Sequence, residues 1–147
     1  MGATLRVILA LLVAMTILGI AAVMSSLVTI ELTSWSTEAR IDPALLLMAG
    51  WYVRITLAAA AGLLSGLVLA SLAGPRSVRT AVVLAGILLV LAVVDAAISY
   101  GGAAEKGWTF TNQLSTWTGP ILAYGVCLLG AVGIVTYCCL RWGRRGV

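Results

Sequence analysis

Residues 119–140 read GPILAYGVCLLGAVGIVTYCCL, twenty-two residues without a charge. As an α-helix this run is about 33 Å long. The hydrocarbon core of a bilayer is about 30 Å thick. In lipid every backbone N–H and C=O must be paired within the segment, so the run is expected to be a membrane-spanning helix. Three more stretches follow the same rule. Residues 81–100 are interrupted only by Asp95, residues 45–73 only by Arg54, and residues 7–30 by nothing between Arg6 and Glu31.

The composition agrees. Of 147 residues, 62% are hydrophobic and 10% charged, where a soluble domain carries about 25% charge. The mean hydropathy is +1.13. A soluble fold would expose apolar patches far beyond what monomers tolerate. The expected fold is therefore an all-α four-transmembrane-helix bundle, one domain over residues 1–147, built from two helical hairpins. The first span follows Arg6 as a signal peptide would. Its apolar run is longer than an h-region and no A-x-A site follows, so it reads as a retained signal anchor.

Orientation follows from Lys and Arg in short loops. Arg6, Arg76, Arg79, Arg141, Arg144 and Arg145 fall on one side, and Arg40, Arg54 and Lys106 on the other. The first side is expected to be cytoplasmic, with both termini inside. Residues 74–80 then form a tight cytoplasmic turn, which would make the second and third helices antiparallel neighbours. Residues 31–44 and 101–118 are expected as outer loops, with Gly101 and Gly102 as loop material. Asp42-Pro43 reads as a helix start, Asp as cap and Pro in the first position. Thr118 is expected to cap the fourth helix in the same way, ahead of Gly119-Pro120. The wealth of Ala, Gly, Val, Leu and Arg points to a bacterial inner membrane.

Helix association in lipid relies on close packing and polar contacts. Ala58, Gly62, Gly66, Ala70 and Gly74 recur at spacing four and form the expected packing ridge of the second helix. Gly119, Ala123, Cys127 and Ala131 make a similar row on the fourth. Either row serves internal packing or docks another protein. The aromatic residues Trp35, Trp51, Tyr52, Tyr100, Trp108, Phe110, Trp117 and Tyr124 gather toward the outer boundary. Trp35, Trp108 and Trp117 are the expected partner contacts there.

Charges inside spans are costly and mark function by default. Arg54 and Asp95 lie at similar depth on helices joined by the short turn. The expectation is an ion pair between them; the bland alternative is that each reaches the interface separately.

No chemistry is legible. Histidine is absent, which removes the usual general base and the usual haem and zinc ligand. A lone intramembrane carboxyl cannot form an aspartyl dyad. Cys127, Cys138 and Cys139 make no C-x-x-C and are read as small packing residues. No phosphate or dinucleotide motif occurs, and the basic residues sit at helix ends rather than in a nucleic-acid-binding stripe. No catalytic residue, metal or cofactor is expected. The first expectation is a non-catalytic accessory subunit of a larger membrane complex, respiratory or cell-envelope, whose partners are other membrane subunits and lipids. A small oligomeric proton- or cation-coupled transporter built on Asp95 and Arg54 is the second. An envelope assembly factor or lipid-binding protein is the third.

Overall fold

The computed structural model describes residues 2–39, 42–106 and 118–143. All regular structure there is helical: α1 (Ala3–Ala39), α2 (Pro43–Ala73), a 3₁₀ turn (Gly74–Arg76), α3 (Ser77–Lys106) and α4 (Thr118–Gly143). Four stretches are long and apolar enough to cross a membrane: Thr4–Leu32, Met48–Ala73, Ser77–Ile98 and Thr118–Leu140. The chain is a multi-pass helical membrane protein.

Its core is inverted relative to a soluble protein. The buried positions are dominated by small residues, among them Ala10, Ala14, Ala58, Ala61, Ala81 and Ala92. Large aliphatics point outward on every helix, for example Ile30, Val83, Ile98, Val126 and Ile134. Lipid tails solvate leucine as well as another helix does, so association gains nothing from burying it. Small side chains let backbones approach instead.

The helix order in space departs from the order expected along the chain. α2 packs most extensively on α4 and on α1, while α3 packs mainly on α4 and only lightly on α2. The short turn does not make α2 and α3 close partners, because sequence adjacency holds only their ends together. What decides the contact is surface shape. A Cβ placed on Gly62 would strike the Tyr124 carbonyl and lie 3.1 Å from Cys127 Cβ. One on Gly66 would lie 2.6 Å from Ala131 Cβ and 2.7 Å from the Leu128 carbonyl. Both numbers rise together along the two helices, so α2 and α4 run parallel. The cross-contacts Ser65–Ala14 and Arg54–Thr29 run in opposite senses, so α1 and α2 are antiparallel.

The expected ridge is thus an internal seam, with one correction. Ala58, Gly62 and Gly66 are buried and Ala70 is half-buried, but Gly74 is exposed, and a Cβ placed on it would meet nothing within 4 Å. Its φ is +55°, a left-handed conformation that suits glycine and ends α2. The boundaries also differ. Residues 31–39 and 101–106, expected as loop, continue α1 and α3. Residues 31–39 hold neither Gly nor Pro, so nothing breaks the helix. Gly101 and Gly102 only weaken α3 and do not end it. Pro43 does open α2, with the Asp42 carbonyl accepting from Leu46 N–H at 3.2 Å.

Candidate functional site: the polar contacts between helices

The end of the bundle that holds Gly74–Arg76 is called here the turn end, and the opposite end the far end. Polar side chains inside the spans fall into two groups. The first bonds back onto its own helix. Thr16, Ser26, Thr56, Thr80 and Thr136 each donate to the carbonyl four residues earlier, a local bond that satisfies a hydroxyl in lipid.

The second group joins helices, at two levels. Near mid-membrane, Tyr124 is the largest fully buried side chain. Its hydroxyl crosses from α4 to α1 and donates to the Ala14 carbonyl at 3.0 Å. Ser65 of α2 donates to the same oxygen at 3.5 Å. Three helices therefore meet at one acceptor. Sequence reasoning placed Tyr124 in the boundary belt of aromatics. Its position six residues past the start of a span, between Ala123 and Gly125, was the signal for burial.

Toward the far end the two intramembrane charges each meet a threonine. Arg54 Nε donates to Thr29 Oγ1 at 3.3 Å, and Thr29 Oγ1 in turn donates to the Ser25 carbonyl at 2.7 Å. Thr118 Oγ1 donates to Asp95 Oδ2 at 2.8 Å. The expected Arg54–Asp95 pair is not among the contacts of these two described residues. The physical reason is the helix order: α2 turns its inner face to α1 and α4. The buried face of α3 runs through Ala81, Leu84, Leu88 and Ala92. Continued by one turn it reaches Asp95 at the start of α4. That start is the positive end of the α4 dipole. Thr118, expected to cap α4, spends its hydroxyl on α3 instead.

Both charges end close to the boundary of the apolar stretch. Thr29 is three residues short of Leu32, and Asp95 three short of Ile98, about 5 Å in each case. A notch of about 30 Å³ lies beside Arg54, lined by Ser25 of α1, Ala58 of α2 and Ile121 of α4. A larger apolar groove of about 300 Å³ runs between α3 and α4, past Gly86, Leu89, Gly125 and Leu129.

Among the aromatics proposed as partner contacts, Trp35 is 71% exposed; Trp108 and Trp117 lie outside the described residues. Trp51 and Tyr52 pack edge to face, centroids 5.5 Å apart. Cys127 packs in the α2–α4 seam, while Cys138 and Cys139 are exposed and do not pack on another helix among the described residues. Among the described residues no three His, Cys, Asp or Glu side chains gather as metal ligands, and no buried side-chain nitrogen or oxygen lacks a hydrogen-bond partner.

These features define a class, a polytopic helical membrane protein whose interior polar groups tie helix to helix. Compared with known proteins, the chain matches no family model, no curated protein and no solved structure.

Proposed function

We propose that the chain is a non-catalytic accessory subunit of a larger membrane complex, respiratory or cell-envelope, in a bacterial inner membrane. The observation that carries this reading is the use made of the intramembrane polar groups. Arg54, Asp95, Ser65 and Tyr124 each bond to a neighbouring helix. Such groups serve assembly, whereas catalysis or transport needs them turned to a substrate or an ion path. The ends of α1 and α3 support a partner. They continue as helix past the apolar stretches to Ala39 and Lys106 and present Trp35. Exposed aromatics at such a surface are the residues interfaces favour.

The far end is the outer side in this reading. The chain forms two hairpins with both termini cytoplasmic, because the basic residues flank the turn end.

Native electrophoresis of the protein in mild detergent, with mass spectrometry of co-migrating species, tests the proposal. Stoichiometric co-migration with a large complex is the expected result. A small homo-oligomer without partners overturns it. Proton flux abolished by Asp95→Asn would then establish the transporter reading.

A further inference from the structure

We propose that the Arg54 notch binds the phosphodiester headgroup of an anionic membrane lipid, in the leaflet at the far end. This goes beyond the accessory role and does not depend on it.

Geometry comes first. α1 and α4 both pack on α2 but make little direct contact with each other. They leave a cleft floored by α2. Arg54 stands in that cleft, half-buried, with Ser25 and Ala58 beside it and Pro120 at the adjoining first turn of α4. The guanidinium is raised toward the boundary by its bond to Thr29, about 5 Å inside the end of the apolar stretch. The 29-residue Thr4–Leu32 stretch is about 43 Å long, longer than the hydrocarbon core of about 30 Å, so with that stretch centred on the bilayer Thr29 lies at the inner edge of the headgroup layer that carries the phosphate.

Chemistry then selects the ligand. The notch joins one cation and one hydroxyl residue at the top to Leu18, Ala21, Ala58 and Ile121 below. A phosphate above and a methylene chain below match that division. Arginine presents five N–H donors in a planar fork suited to phosphate oxygens. A lipid phosphate needs only to share that fork with Thr29 and any other acceptor, not to find it vacant. The Thr29 bond fixes the plane of the fork, which lowers the ordering cost of binding. A notch of about 30 Å³ is too small to enclose a phosphodiester, so the phosphate sits at its mouth against Arg54 and the lipid lies along the cleft rather than inside the bundle.

The test is native mass spectrometry of the full chain in mild detergent, titrated with phosphatidylglycerol, phosphatidylcholine or inorganic phosphate. We expect phosphatidylglycerol to bind at least tenfold tighter than phosphatidylcholine. Arg54→Gln should erase that preference, while Arg79→Gln, at the turn end, should leave it unchanged. Equal binding of the two lipids overturns the proposal. So does a folded Arg54→Gln protein that keeps the preference, or an Arg79→Gln protein that loses it. Saturation by inorganic phosphate as tight as by the lipid also overturns it, because the ligand would be a free anion. Should Arg54→Gln not fold, a photoactivatable phosphatidylglycerol with a diazirine in its acyl chain decides on the wild type. Labelling around Leu18, Ala21 and Ile121 supports the site, and labelling confined to other faces removes it.

Discussion

Tyr124 shows how much a single hydroxyl can organise. Its ring fills the space between α1, α2 and α4, and its O–H reaches a backbone oxygen that Ser65 also approaches. Interhelical bonds of this kind contribute about 0.6 kcal/mol on average and rarely more than about 1.7 kcal/mol. Tyr124→Phe should therefore cost about 1 kcal/mol in a reversible detergent unfolding assay. Tyr124→Ala should cost about 3–5 kcal/mol, because it also leaves a cavity. A Tyr124→Phe loss as large as that of Tyr124→Ala would contradict this division. Arg54 and Asp95, bonded to different threonines, should behave independently. Asp95→Ala and Arg54→Ala should add within about 0.5 kcal/mol in a double-mutant cycle. A coupling above about 1 kcal/mol would restore the ion pair. The sequence showed that both charges were inside spans and near one boundary. It could not show their partners, because a threonine hydroxyl that bonds its own helix and one that bonds a charge look alike in a list of residues.

At the scale of the helix, spacing was informative and punctuation less so. Gly62 and Gly66 lie against α4, since a missing side chain at spacing four leaves a groove whatever fills it. Equal treatment of every glycine would mislead. Gly62 and Gly66 face α4 at distances no Cβ tolerates, whereas Gly86 and Gly130 have open space where a Cβ would sit. Gly62→Ala and Gly66→Ala should each destabilise the bundle by about 1–3 kcal/mol through overpacking. Gly86→Ala and Gly130→Ala should be neutral or stabilising. The same unfolding assay checks all four, and a uniform response would argue against the α2–α4 seam. Helix ends were legible where backbone chemistry dictates them, at Asp42-Pro43 and at Gly74. They were not legible at residues 31–39, because polar residues outside the apolar run are as compatible with helix as with loop.

For the whole molecule, the arrangement of helices has a consequence that chain order hides. α4 comes after the other three helices in chain order, yet it forms the largest interface of α2 and the main one of α3. A chain lacking α4 should leave α3 without its main partner and should be degraded or aggregate, while α1 and α2 together keep their own interface. Co-expression of residues 1–106 with residues 107–147 should restore a folded bundle, read out by co-purification. Recovery of a stable residue 1–106 fragment alone would show that α4 is dispensable.

The number of spans, their rough limits and the lipid environment came from sequence by itself. The reason is that a bilayer imposes a length and a polarity on every crossing segment, independent of its neighbours. Which helix lies against which was decided only in three dimensions. Apolar residues are spread around all four spans, so no stripe announces an inner side. The choice rests instead on a few positions, Gly62 and Gly66 against α4 and Tyr124 against α1, where the fit of one backbone into another decides the contact.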